Sequence, residues 1–343
     1  MISKKIAVKS IYDDYNYNDS FFDIKKCKLG ENILLPIIEL RKEIEKQNSE
    51  IHTFDKYSSI GDIDVVLFFE VPRDSIYTIH SVRSLIRNSI NYIKNKDVLF
   101  SVCNQKKSIK KILIIQEPPI ISPISYHKYF HRYFDIVFTW NDDLIDNKKY
   151  HKLDYPQPMT DKVYKVPFEQ KKLLSMMCGN KKASGNNELY SLRRNIIDYF
   201  DGFGDFDLYG FGWENENLRS YKGCVDSKLD VISRYKFCFA VENYKNDNGY
   251  ITEKIFDCFF ANTVPIYLGY TKVKEIIPDD TFISLDKFNS YDELYNFLLN
   301  INEDVYNKYI DNIHRYLHGK DFSDRFSTKT FVSTICNNIF KDD

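Results

Sequence analysis

Short runs of Val, Ile, Leu and Phe recur along the first half of the chain, at residues 6–11, 64–69, 112–115 and 135–139, with polar or helix-patterned stretches between them. Continuous apolar runs of that length suit parallel strands buried on both faces. Residues 35–46 and 75–93 carry apolar side chains at three- and four-residue spacing, which predicts helices. A polar, proline-containing stretch, 148–168, interrupts the pattern. It resumes as strand 173–178, helix 188–199, strand 206–208, strand 237–241, helix 252–260 and strand 265–268, and the tail from 291 to 340 reads as helices. The expected fold class is therefore α/β: two Rossmann-type βα domains, residues 1–165 and 166–343, facing each other across a cleft, with a helical C-terminal tail. Loops at the carboxyl ends of the strands should carry the chemistry.

Charge narrows the function classes. Lys and Arg number 48 against 49 Asp and Glu, a net charge of −1, so no global field favours nucleic acid. The seven cysteines form no CxxC pair, which argues against a disulfide framework or a closed zinc site and for a reducing compartment. The start, MISKKIAVKS, lacks the apolar stretch of a signal peptide, and no apolar run is long enough to span a bilayer. A cytoplasmic protein without a transmembrane segment is expected.

Three stretches carry candidate chemistry. In 237–270, FCFAVENYKNDNGYITEKIFDCFFANTVPIYLGY, a strand delivers Glu242 and Asn243 at its carboxyl end, and a loop leads to Tyr250 and a helix start at Thr252, Glu253 and Lys254. Backbone N–H groups at a helix start together with a lysine suit a phosphate, and a lysine there otherwise opposes the helix dipole. A surface lysine in an ordinary helix start is the rival reading. In 112–123, ILIIQEPPIISP, a buried strand ends in Gln116 and Glu117 and is stopped by Pro118 and Pro119. One carboxylate on a rigid turn suits a general base, or simply a strand terminus. In 187–222, Arg193 and Arg194 lie on a predicted helix, Leu208-Tyr-Gly-Phe-Gly212 closes a strand, and Arg219 and Lys222 follow. A diphosphate needs fixed cations, and Arg219, Lys222 and Arg194 are the candidates.

The segments Arg234-Tyr-Lys-Phe-Cys-Phe-Ala-Val-Glu-Asn243, Gly249-Tyr-Ile-Thr-Glu-Lys254 and Ala261-Asn-Thr-Val-Pro-Ile-Tyr-Leu-Gly269, in that order, resemble the signature of the α1,3/4-fucosyltransferases, glycosyltransferase family ten. The resemblance implies a two-domain GT-B fold and inverting transfer of L-fucose from GDP-fucose to a sugar hydroxyl, with an α1,3-linkage expected. It implies that Glu253 and Tyr250 contact the donor's ribose or sugar, that Lys254 meets its pyrophosphate and that Asn243 lies beside it, with Glu242 a weaker candidate. Glu117-Pro118-Pro119 is similar to the family's Glu-x-Pro, whose glutamate deprotonates the acceptor. The implied pyrophosphate arginine is Arg219, by its distance before the 237–241 strand, with Lys222 and Arg194 as rivals.

Other constellations are weaker. Asn141, Asp142, Asp143 and Asp146 imitate a carboxylate site for Mn²⁺ but also read as a solvated cap, and His127 with His131 has metal-pair spacing without further ligands. No metal or cofactor beyond the GDP-fucose donor is expected. The expected partners are a GDP-sugar and a glycan acceptor, for instance a lipopolysaccharide precursor or glycoprotein, with peripheral association at the inner membrane face. Another GDP-linked sugar, or a non-catalytic sugar or nucleotide binder, are the alternatives.

Overall fold

The computed structural model describes residues 3–27, 32–94, 96–160 and 162–341. The chain divides into two compact units, Met1–Pro158 with Thr328–Asp343, and Met159–Ser327. In the first, β1 (Lys5–Ser10), β2 (Glu50–Thr53), β3 (Val65–Phe69), β4 (Lys110–Ile115), β5 (Ile136–Thr139) and β6 (Tyr150–Lys152) make one parallel sheet in the order β2-β1-β3-β4-β5-β6. The apolar runs form its centre, where both faces are covered. The short polar segments EIHT and YHK, which carry no strand signal, supply the two edges. Helices α1 (Leu35–Lys46), α2 (Val82–Ile93), α3 (Val98–Cys103) and α4 (Lys128–His131) connect them.

The helix expected over 75–93 starts late. Ile76–Thr78 is a 3-10 turn, and Ser81 then opens α2 with a capping box. Its hydroxyl accepts the Ser84 N–H at 3.1 Å while the Ser84 hydroxyl accepts the Ser81 N–H at 2.8 Å.

The second unit contains β7 (Lys172–Met177), α5 (Tyr190–Phe200), β8 (Phe206–Tyr209), α6 (Lys228–Ile232), β9 (Tyr235–Asn246), α7 (Glu253–Phe260), β10 (Val264–Tyr270), β11 (Ile283–Ser284), α8 (Tyr291–Leu299), α9 (Glu303–Leu317) and α10 (Lys320–Phe326). Its parallel sheet has the order β11-β10-β9-β7-β8. Phe200, Phe206, Phe237 and Phe239 pack on one face, and Phe256, Phe259, Phe322 and Phe326 in a separate cluster with α7 and the tail. β9 extends beyond the expected end at 241. Its register against β10 jumps from Val241–Leu268 to Asn246–Tyr270, so residues 242–245 bulge out of the ladder.

The expected boundary of 165/166 is corrected in two ways. The chain passes from one unit to the other at Pro158/Met159, and the last helix, α11 (Thr328–Phe340), belongs to the first unit rather than to the donor domain. Phe331, Ile335 and Ile339 recur every four residues, and that stripe is buried with Leu40 and Ile44 of α1.

Each sheet has one place where chain order reverses: between β1 and β3 in the first unit, and between β7 and β9 in the second. Ligands of open parallel sheets bind beyond the carboxyl ends of the strands at such points.

Candidate functional site

At the reversal point of the first unit, β1 ends at Ser10 and β3 at Phe69, and the next residue, Glu70, adopts φ +72°. A glutamate in the left-handed region is strained by about 1–3 kcal/mol. The turn drives its carboxylate, 3% exposed, under the end of β4, where Oε1 accepts the N–H of Gln116 at 2.6 Å and of Glu117 at 2.8 Å. Burial pushes the Glu70 carboxyl up to about 7, against the pull of the groups that donate to it. Glu117 is thereby fixed through its backbone. Its carbonyl accepts the Tyr126 hydroxyl at 2.6 Å, and its side-chain Oε1 accepts the Tyr12 hydroxyl at 2.5 Å. Burial and the Glu117 carboxylate push the Tyr12 phenol far up, so Tyr12 stays a donor. Ser10, Tyr12, Glu70 and Glu117 line a cavity of about 70 Å³. The structure thus adds Glu70 and Tyr12 to the glutamate read from the sequence.

At the reversal point of the second unit, β9 delivers Glu242, fully buried. Its Oε1 accepts the Thr252 N–H at 2.8 Å, and its Oε2 accepts the Thr252 hydroxyl at 2.7 Å and lies 3.3 Å from Lys254 Nζ. Thr252 occupies the N-cap position of α7, but its hydroxyl is turned to Glu242 and does not cap the helix. Gly269 makes room for this lock, because a Cβ there would collide with Cγ and Cβ of Glu242. Lys254 Nζ also lies 3.3 Å from Glu253 Oε1. The charge that offsets a lysine at a helix start is therefore supplied within the chain, by Glu242 and Glu253. Burial works to raise the Glu253 carboxyl, but Lys254 and Lys228 outweigh it and bring it down to about 2. Lys228 in turn pairs with Asp257 of α7 at 2.5 Å.

Arg193 of α5 is buried, and all its hydrogen-bond acceptors are neutral: Nε and Nη2 donate to the Val241 carbonyl, and Nη2 donates to Asn243 Oδ1 at 2.8 Å. Asn243 is thus the residue that orients an arginine. Beside them lies a cavity of about 440 Å³, lined by Arg193, Arg194, Lys181, Lys182, Tyr190 and Trp213 among others, with no carboxylate in its wall. The loop after β7 is held there by Trp213, whose indole N–H donates to the Cys178 carbonyl at 2.8 Å, and by Gly210 at φ +131°, where a Cβ would strike that same carbonyl. A cationic wall without carboxylates suits an anion.

Of the other sequence candidates, Tyr250 is buried, its N–H held by Asn246 Oδ1 at 2.9 Å. Arg194 lines the cavity and pairs with Glu216 at 3.0 Å. Arg219 and Lys222 are not brought to it. They follow β8, at the sheet's edge, where Arg219 is exposed near Asp201 and Lys222 pairs with Asp207 at 3.4 Å. Arg193, one residue before the weighed Arg194, is the buried cation that the sequence reading passed over. Asn141 Oδ1 accepts the Asp143 N–H, Asp142 pairs with Lys152 and Asp146 Oδ1 accepts three backbone N–H groups, so that cluster builds turns. His131 bonds the Ser125 carbonyl at 2.8 Å. Among the described residues, no group of three or more His, Cys, Asp or Glu is placed to hold a metal ion.

The comparisons with known proteins bear on both units. An alpha-(1,3)-fucosyltransferase of Helicobacter pylori is 30% identical over 100 residues, 29% of this chain and 20% of that protein. The mouse alpha-(1,3)-fucosyltransferase 7 is 34% identical over 111 residues, 31% of this chain and 28% of that protein. The chain therefore spans less than a third of the length of these curated relatives. A crystal structure of an alpha1,3-fucosyltransferase with GDP-fucose superposes over 99% of this chain and 91% of that one, with a TM-score of 0.52 at 17% identity. An alpha-glucosyltransferase in complex with UDP-glucose and DNA does so over 98% and 100%, with a TM-score of 0.60 at 11% identity. At such identities these likenesses show the fold, that of the GT-B glycosyltransferases. The match to the model "Glycosyltransferase family 10 (fucosyltransferase) C-term" runs over residues 169–343, half of the chain, and takes in β7, α5, β9, α7 and the whole Glu242–Lys254 lock. The chain belongs to glycosyltransferase family 10, the fucosyltransferase family.

Proposed function

We propose that the protein is an inverting fucosyltransferase that moves L-fucose from GDP-fucose to a hydroxyl of a glycan acceptor, with an α1,3-linkage. The observation that carries the donor half is the 440 Å³ cavity at the β7/β9 reversal, walled by Arg193, Lys181 and Lys182 without a carboxylate. A diphosphate fits that chemistry. Neighbours of like fold include proteins crystallised with UDP-glucose and with GDP-fucose, so the fold alone leaves the nucleotide open. The family match favours GDP-fucose.

In the proposed reaction the acceptor hydroxyl oxygen forms a bond to the anomeric carbon as its proton passes to the Glu117 carboxylate, and the bond from that carbon to the diphosphate oxygen breaks. The leaving electron pair goes out on GDP. Preorganised cations aimed at the developing negative charge lower the barrier most effectively in a site closed to water. Arg193 is proposed for that role, with Lys254 and the α7 start, while Glu253, Tyr250 and Thr252 shape the sugar and ribose site. Arg219 and Lys222 are left out of it. Tyr12 and Glu70 hold the base in position. The scheme assigns no step to a metal ion or cofactor. A cytoplasmic, membrane-face setting with a lipid-linked or protein-linked glycan as acceptor completes the proposal; among the described residues no helix is long and apolar enough to cross a membrane.

The test is transfer from GDP-fucose, GDP-mannose and UDP-glucose to a panel of oligosaccharides ending in N-acetyllactosamine, with and without EDTA. Fucose transfer that persists in EDTA is expected. A preference for UDP-glucose rejects the donor assignment, and activity abolished by EDTA and restored by Mn²⁺ rejects the metal-free scheme.

A further inference from the structure

Helix α2 is turned inside out. A surface helix ordinarily buries its apolar stripe and shows its polar one. In α2 the buried residues are Ser84 and Asn88, and the polar side makes the attachment: the Ser84 hydroxyl accepts the His80 N–H at 2.9 Å, Asn88 Nδ2 donates to the Ser75 carbonyl at 2.5 Å and Asn91 Nδ2 to the Asp74 carbonyl at 3.4 Å. The opposite side exposes Val82 (76%), Ile86 (60%) and Ile93 (75%), flanked by Leu85 and Ile90, both exposed. At 100° per residue, Val82, Ile86 and Ile93 fall on one line along a helix about 18 Å long.

The charge around this face is of one sign. Between Asp74 and Asp97 there is no acidic residue, while Arg83, Arg87, Lys94 and Lys96 are all exposed, in a chain whose net charge is −1. Exposed Tyr129, with the Arg132 guanidinium 3.8 Å from its ring centre, lines a surface groove with Ile79 and His80, where α2 begins. In an antiparallel two-fold pairing of this face with its own copy, cations would meet cations. An apolar stripe bordered by cations instead matches the interface of an anionic bilayer, into which such a helix sinks its apolar side while its Lys and Arg meet phosphate headgroups.

We infer that α2 is a membrane-docking helix that seats the first unit on an anionic lipid surface. This deepens the proposed membrane-face setting, but its readout does not depend on fucose transfer. The experiment is co-sedimentation of the full chain with phosphatidylcholine vesicles with and without about 30% phosphatidylglycerol. Binding is expected to the anionic vesicles and to weaken at least about tenfold on neutral ones or in about 0.5 M salt. Val82→Ser, Ile86→Ser and Ile93→Ser combined should lower it at least about tenfold, and Arg83→Gln with Lys94→Gln by about 25-fold, at about 5-fold per cation. A melting temperature and GDP response equal to wild type show that the variants remain folded. Failure of wild type to bind, or equal binding by the serine variant, overturns the inference. So does a dimer in sedimentation velocity that the serine variant dissolves, because a second copy would then cover the face.

Discussion

Glu70 sets a pH dependence that a single substitution should erase. Its carboxyl has a value of about 7 in the folded protein against 4.5 for an ordinary glutamate. The folded state therefore holds a proton between pH 4.5 and 7 that the unfolded chain has released, and stability falls as pH rises through that window. A shift of that size corresponds to about 3 kcal/mol, lost in full above about pH 7 and retained in full below about pH 4.5. Glu70→Gln keeps an acceptor for the N–H groups of Gln116 and Glu117 but has nothing to ionise. Whatever constant offset the amide brings, the variant should gain about 3 kcal/mol on wild type between about pH 4.5 and 8, or roughly 6–12 °C in melting temperature for a domain of this size. The reporter is built in, because the two tryptophans are divided between the units: Trp140 is buried in the first and Trp213 in the second. In a Trp213→Phe background, Trp140 fluorescence follows the unit that holds Glu70. Parallel pH profiles for that background with and without Glu70→Gln would refute the assignment, since an ordinary exposed glutamate gives no such difference.

Glu117→Gln should slow transfer by about 10²–10⁴ while the GDP-induced rise in melting temperature stays at the wild-type value; near-normal transfer removes Glu117 as the base. GDP should stabilise the protein more than GMP, and GMP more than guanosine, because each lost phosphate removes charge-assisted contacts, and Arg193→Met should flatten that series; equal shifts for GDP and guanosine would sink the diphosphate site. Gly269→Ala drives a methyl group into Glu242 Cγ and should cost about 1–3 kcal/mol and weaken the GDP response. An unchanged melting curve for that variant would show that the lock yields easily.

What the sequence disclosed follows from how burial writes itself into a chain. VVLFF in β3 and KILII in β4 are covered on both faces and stand out as unbroken apolar runs, whereas EIHT and YHK at the sheet edges leave no such mark. Periodicity finds α2 but is silent on which side faces inward; only the contacts of Ser84 and Asn88 decide that. Glu70 has a visible signal, because Phe69-Glu70-Val71-Pro72 ends a buried strand in Glu-x-Pro, as Glu117-Pro118-Pro119 does. Its left-handed backbone and its two N–H partners belong to the turn and could not be read.

The arginine shows the deeper reason. Distance along the chain from the 237–241 strand points to Arg219, but proximity in a parallel sheet is set by strand order. β9 lies next to β7, and β8 lies on β7's far side. A cation that follows β7, on the first turn of α5, can therefore reach the carboxyl end of β9, as Arg193 does through Val241 and Asn243. The segment that carries Arg219 and Lys222 instead runs back along β8 at the outer edge, where 220–223 pair alongside Leu208 and Gly210. The proposed anion site belongs to the helix after the first strand of the unit because the sheet reverses there, which lets Arg193 line the cavity and still reach the end of β9.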